Sequence, residues 1–140
     1  MATALVGALL LGIVAGLRTF TAPAVLWLLR HGGWPAYVLG ALALAEYGAD
    51  AQPNTPARTA PFGLGARLIS GAFCGWAVTA TSGVAVWGGL LGAFGAVIGA
   101  YGGLAVRARA ILLIGRVPAA LLEDAVAIAG AVIIVLAIHP

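Results

Sequence analysis

Residues 88–103 have the sequence Gly88-Gly-Leu-Leu-Gly-Ala-Phe-Gly-Ala-Val-Ile-Gly-Ala-Tyr-Gly-Gly103. They lie inside a longer run, residues 68–106, that has no charged side chain. A run of this length is too long for the core helix of a small soluble protein and long enough to cross a bilayer. Each glycine costs a helix about 1 kcal/mol relative to alanine. A helix face that keeps several glycines is therefore expected to hold another helix at close range. The expected packing glycines are Gly71, Gly75, Gly88, Gly92, Gly95, Gly99 and Gly103.

The composition is that of a membrane protein. Hydrophobic residues make up 63% of the 140 residues and charged residues 8%, whereas soluble domains carry about 25% charged residues. No polar stretch is long enough for a second domain, so residues 1–140 are expected to form one integral membrane domain surrounded by the lipid bilayer. The net charge of +3 is interpreted as a topology signal, and nucleic acid is not an expected partner.

Five apolar segments are predicted to be membrane-crossing helices, and a shorter apolar stretch covers residues 22–31. The five segments are residues 2–17, 35–47, 63–80, 84–106 and 118–138. Pro23 can interrupt the helical conformation after the first helix. Either Arg18 marks the membrane surface and residues 22–31 form an interfacial or re-entrant helix, or one kinked helix carries Arg18 inside the membrane. The expected fold class is all-α, a polytopic transmembrane helical bundle with a broken or re-entrant region near Arg18–Pro23.

Two loops determine the predicted topology: a polar loop over residues 51–62 and a basic connection over residues 107–117. Five crossings put both loops on one side, where most arginines lie, and the positive-inside rule then places the N-terminus in the cytoplasm and the C-terminus outside. Residues 1–15 lack the basic start of a secretory signal, so they are expected to be the first helix. The first two and last two helices resemble each other weakly, and an inverted repeat is an open alternative.

Charged and polar side chains near membrane depth are the candidates for function. Buried charges need partners of opposite sign, and such groups bind ions or solutes or relay protons. The alternative is that they only pair at helix ends, where a helix N-terminus favours carboxylates. The candidates for a substrate or ion path are Arg18, Thr19, Pro23, Glu46, Asp50, Arg67, Glu123 and Asp124.

The sequence has no nucleophile elbow, no phosphate-binding loop and no His-rich metal set. We therefore expect no catalytic residue, no metal and no cofactor. Cys74 has no partner cysteine for a disulfide and is expected to be a buried structural thiol.

Four segments occur in a characteristic order: Gly16-Leu-Arg-Thr-Phe-Thr-Ala-Pro-Ala24, Ala45-Glu-Tyr-Gly-Ala-Asp50 leading to Pro53-Asn-Thr-Pro-Ala-Arg58, Gly65-Ala-Arg-Leu-Ile-Ser-Gly71 and Leu121-Leu-Glu-Asp-Ala125. Together they resemble a family of small bacterial inner-membrane proteins that is catalogued as a domain of unknown function. The resemblance implies a multi-pass protein of the bacterial inner (cytoplasmic) membrane, and it supplies no activity.

The leading hypothesis is a homo-oligomeric transporter or channel for a small solute or ion. Its path is expected where the Arg18–Pro23 break meets Glu46 and Glu123, because compact transporters build their sites at broken helices. The alternative is a structural or accessory protein whose glycine-rich helix packs on a partner. A membrane-embedded enzyme is the third hypothesis.

Overall fold

The computed structural model describes residues 1–50, 52, 54 and 57–138, and every regular element in these ranges is helical. The elements are α1 (Ala2–Leu17), α2 (Thr21–Arg30), α3 (Trp34–Asp50), α4 (Pro61–Thr79), a 3-10 turn (Ala80–Ser82), α5 (Ala85–Ile114) and α6 (Arg116–Ile138). The predicted all-α class is confirmed. The break near Arg18–Pro23 lies between α1 and α2, where Arg18 adopts an extended conformation with φ of −141°.

The helix boundaries differ from the predicted ones mainly between α5 and α6. α5 continues to Ile114, so the connection predicted over residues 107–117 is largely helical. Alanine, arginine and leucine dominate its last turns and are strong helix formers. The chain reverses at Gly115, whose φ of 89° favours glycine. Because α6 already begins at Arg116, Glu123 and Asp124 lie beyond its first turn, so the helix N-terminus does not stabilise these carboxylates.

α1, α4 and α5 form the core of the bundle through glycines that bring their backbones together. A Cβ added at Gly12 of α1, or at Gly71 of α4, would overlap the carbonyl group of Gly92 in α5. The whole glycine face of α5, defined as Gly88, Gly92, Gly95, Gly99 and Gly103, is buried against these two helices. Backbone contact of this kind requires residues without a side chain.

α1 and α5 run parallel to each other, and α4 runs antiparallel to both. Gly12 meets Gly92 and Gly16 meets Gly99, so residue numbers increase in the same direction along α1 and α5. In the suggested inverted repeat, α1 and α5 are the first helices of the two halves and would have to run in opposite directions. The inverted repeat is therefore wrong.

α2 and α3 form a short hairpin beside this core. Leu26 of α2 belongs to the same apolar cluster as residues of α1, α4 and α6. α3 then runs back and brings the hydroxyl of Tyr47 to 2.6 Å from that of Thr21 at the start of α2. α3 packs mainly against α2, so it is the most peripheral helix of the bundle.

The ends of the described chain lie together, since a Cβ added at Gly7 in α1 would overlap Ile138 at the end of α6. The other end of the bundle, called the charged end, holds the α1–α2 break, the end of α3 and residues 57–60. Five full crossings would separate the two termini and are not supported. The α2–α3 hairpin starts and finishes at the charged end, so the N-terminus lies opposite residues 57–60 and not beside them as predicted.

Two helices, α5 and α6, are long and apolar enough to cross a membrane by their length and composition. α1 is apolar but shorter. Many large apolar side chains of α5 and α6 are exposed, among them Leu112, Leu113, Val126 and Ile133. These features fit an association with a membrane.

Replacing Gly92 by alanine is expected to destabilise the protein by about 1–3 kcal/mol, the usual cost of overpacking. The new methyl group would overlap backbone atoms of Gly71. Gly102→Ala is the matched control on the same helix, because a Cβ there meets nothing within 4 Å and alanine favours the helix. The measurement is the thermal unfolding midpoint in detergent. Equal midpoints for the two variants would contradict the packing described here.

Candidate functional site

The side-chain carboxylates of the chain, four in all, lie together at the charged end, each within ion-pair distance of an arginine. Four of the seven arginines join them, so the formal charges of the group cancel. This charge cluster consists of Arg18, Glu46, Asp50, Arg58, Arg67, Arg107, Glu123 and Asp124. Buried ions require such pairing, since an unpaired one costs several kcal/mol.

One part of the cluster completes the hydrogen bonds at the end of α1. Nε of Arg67 donates to the carbonyl of Gly16 at 3.1 Å, and Nη1 of Arg58 donates to that of Leu17 at 3.4 Å. The last carbonyls of a helix have no partner inside the helix and carry a partial negative charge. The two guanidinium groups therefore satisfy and neutralise the end of α1.

Glu46 provides hydrogen-bond acceptors for the backbone N–H groups that precede α2. Its carboxylate accepts the backbone N–H of Thr19 at 2.8 Å and that of Phe20 at 3.1 Å. Ser70 donates its hydroxyl to the carbonyl of Thr19. Arg67 lies 3.6 Å from the same carboxylate. Glu46 and Arg67 thus have a structural role, because they hold both sides of the break.

Arg18 connects the break to two other helices. Only 1% of its side chain is exposed, and its guanidinium pairs with Asp50 of α3 and with Asp124 of α6. The guanidinium carbon also lies 5.1 Å from the centre of the Tyr47 ring, a cation–π distance. This one guanidinium is therefore shared between two carboxylates, and Arg58 and Arg107 supply further positive charge beside Asp50.

Arg58 and Glu123 form a bidentate ion pair. Nη1 of Arg58 donates to Oε1 of Glu123, and Nη2 of Arg58 donates to Oε2 at 2.7 Å. Burial alone lowers the pKa of Arg58, but the hydrogen bonds and charge of Glu123, with Asp50 and Glu46, raise that pKa above its ordinary value. Arg107 adds longer contacts through Nη1, at 3.3 Å to Glu123 and 3.5 Å to Asp50. Arg107 is therefore shared between two carboxylates and is held less closely than Arg58.

A cavity of about 250 Å³ borders one half of the cluster, namely Arg18, Asp50, Arg107 and Asp124. Its walls contain three guanidinium groups, two carboxylates and a phenol, with apolar side chains of α6 closing one side. The lining residues of this polar cavity are Arg18, Tyr47, Asp50, Arg107, Arg116, Val117, Ala120, Leu121 and Asp124. The volume is far larger than one water molecule needs, so the cavity has room for a small polar ligand.

The residues predicted from the sequence to form a substrate or ion path do not all line the same cavity. The six charged candidates all join the charge cluster, but only Arg18, Asp50 and Asp124 line the polar cavity. Glu46 and Arg67 line a separate groove between α3 and α4, and Glu123 lines an apolar cavity beside α1 and α5. Thr19 contributes backbone groups only. Pro23 lies in the first turn of α2 and lines an apolar cavity of about 540 Å³.

Arg58 and Arg107 were missing from the predicted candidates, although both contact Glu123. The available signal was charge balance: four carboxylates near membrane depth require four cations, and Arg18 and Arg67 supply only two. Pro53, Thr55 and Pro56 of the second family-like segment lie outside the described residues. Within the described ranges, no three His, Cys, Asp or Glu side chains form a group that could hold a metal ion.

Removing one member of the Arg58–Glu123 pair is expected to cost about 3–5 kcal/mol of stability, because the other charge stays buried. Glu123→Leu and Arg58→Leu should each lower the unfolding midpoint strongly, and the double variant should recover much of the loss. Arg109→Leu is the control, since Arg109 is exposed and makes no ion pair among the described residues. Additive losses in the double variant would show that the pair is not coupled.

The cluster thus combines a structural half at the helix break with a half that faces a cavity. No protein-family model, curated protein or solved structure matches the chain. The chemistry of the side chains themselves is therefore what indicates a function.

Proposed function

We propose that this chain is a multi-pass membrane protein in which α1, α4, α5 and α6 cross the bilayer and the α2–α3 hairpin enters from the charged end and returns to it. Only 33% of the apolar window of α5 and 17% of that of α6 is buried, whereas the core helix of a soluble protein is mostly buried. α2 has 10 residues and spans about 15 Å, half of a hydrocarbon layer of about 30 Å. The family resemblance supports the bacterial inner membrane as the location.

The distribution of arginines supports one orientation. Arg30 lies at the opposite end of the bundle, where it donates to the carbonyl of Ala77 late in α4. Arg109 and Arg116 flank the α5–α6 turn, beyond the charge cluster. The positive-inside rule then orients the charged end to the cytoplasm. Because the N-terminus lies at the other end, this orientation places it outside, opposite to the side expected from five crossings. The loops and the C-terminus keep their expected sides.

Cysteine labelling tests this topology, because the native Cys74 is fully buried and serves as an unreactive background. Ser82→Cys, in the α4–α5 turn, is expected to react with an impermeant maleimide added to intact cells. Val117→Cys, exposed near the start of α6, should react only after the membrane is permeabilised. The opposite pattern would reverse the orientation, and labelling of both from outside would contradict membrane crossing by α5.

Within this membrane we propose a transporter or channel for a small solute or ion, with the polar cavity as its site. The observation that supports this proposal best is that the α1–α2 break, the charge cluster and the polar cavity lie together. Compact transporters build their binding sites at such discontinuous helices. Arg107 contacts two carboxylates at 3.3 Å and 3.5 Å without a close bond to either. An ion network with shared partners can rearrange around a ligand at low cost.

The alternative role, an accessory protein that packs on a partner through its glycine-rich helix, is not favoured by the packing of α5. The glycine face of α5 is already covered by α1 and α4, so it offers no free surface to another protein. We propose in addition that copies of the chain associate into a homo-oligomer. The mass of the purified protein in detergent measures it.

Flux through proteoliposomes tests the transport proposal. Vesicles containing the protein should pass at least one member of a panel of small anions, cations and neutral solutes faster than empty vesicles. Arg107→Gln should abolish this flux, because it changes the cavity wall, while Arg109→Gln, two residues along α5 and outside the cavity, should retain it. Absence of flux for the whole panel in folded protein would overturn the proposal.

A further inference from the structure

From the polar cavity we infer a ligand class: a small oxyanion such as phosphate, either free or as the headgroup of an amphiphile. The inference rests on the cavity being the ligand site of the proposed function. It follows from three features of the cavity wall, namely its charge, its unused hydrogen-bond donors and the helix end that borders it.

The charge of the wall is positive. Arg18, Arg107 and Arg116 line the cavity together with Asp50 and Asp124, so three positive charges face two negative ones. Arg18 pairs with both of these carboxylates. A cation entering the cavity would meet carboxylates that already have arginine partners, whereas an anion would meet Arg116, which has no carboxylate partner within the described ranges.

The unused donors belong to two arginines. Arg107 reaches its carboxylate partners through Nη1 alone, which leaves Nε and Nη2 without a carboxylate among the described residues. Arg116 makes no ion pair within the described ranges. The planar fork of a guanidinium group matches the oxygen spacing of phosphate and carboxylate. Two such forks at one cavity provide the donors that an oxyanion needs.

The N-terminus of α6 adds to the positive potential. Arg116 and Val117, the first two residues of this helix, both line the cavity. The first turn of α6 contains no acidic residue, so the positive end of the helix dipole is not neutralised there. Backbone N–H groups at a helix N-terminus favour anions. α6 offers two, those of Arg116 and Val117, because Pro118 has no N–H and the N–H of Ala119 donates to the carbonyl of Gly115.

Binding of inorganic phosphate to the purified full-length chain in detergent tests the inference. Phosphate, titrated at constant ionic strength against sodium chloride, should raise the unfolding midpoint in a saturable way. Arg116→Gln should weaken phosphate binding by about tenfold or more, the effect of losing a charge-assisted hydrogen bond. Arg109→Gln, an exposed arginine outside the cavity, should leave binding unchanged. Ala120→Leu should also weaken it, since it fills part of the cavity without changing the charge.

Two further ligands separate the alternatives. Dihexanoyl phosphatidic acid that binds more tightly than phosphate, with the same dependence on Arg116, would identify the oxyanion as a headgroup; weaker binding would identify a free solute. Stabilisation by choline chloride in place of phosphate would overturn the inference. Equal effects of Arg109→Gln and Arg116→Gln would overturn it as well, because the binding would then be unspecific.

The flux assay distinguishes failure of the inference from failure of the proposed function. Phosphate binding that depends on Arg116, with no flux of any panel member, would leave an oxyanion site in a protein that does not transport. Flux of a cation that Arg107→Gln abolishes, with no phosphate binding, would leave the transporter and overturn its assignment to oxyanions.

Discussion

Ionised side chains in this bundle have to neutralise one another, because the surrounding helices are apolar and offer few other polar groups. The resulting ion pairs connect parts of the chain that are far apart in sequence. Arg18 joins the α1–α2 break to α3 and α6, and Arg58 joins the chain between α3 and α4 to α6. The positions of the end of α3, the start of α4 and the middle of α6 are therefore linked through charge.

These pairs can form only because the core helices approach closely. The guanidinium of Arg67 in α4 reaches the carbonyl of Gly16 in α1 at 3.1 Å, and both helices are drawn against α5 by glycine contacts. Larger residues at the contacts would separate the backbones and lengthen the distance from Arg67 of α4 to the end of α1. Glycine packing and charge pairing are thus two aspects of one arrangement.

The local features of this arrangement were predictable from the sequence. Glycine spacing indicated the packed face of α5, and Pro23 together with Arg18 indicated the break between α1 and α2. The number of full passes was not predictable, since an apolar pattern does not reveal whether a short helix such as α2 turns back. Arg58 and Arg107 were interpreted as topology signals because their sequence neighbours resemble loops, and only the tertiary structure brings them to Glu123.

Contact between backbones also has a consequence for motion. Where Gly12 and Gly92 touch, there is no side chain that could change rotamer and create slack, so α1, α4 and α5 form a stiff frame. α3, which packs mainly against α2, has no such restraint. Local opening is easiest where few buried contacts hold an element in place. α3, which carries Glu46 and Asp50, is therefore the helix whose displacement would disturb the fewest buried contacts, whereas α2 is held by Leu26 in the apolar core.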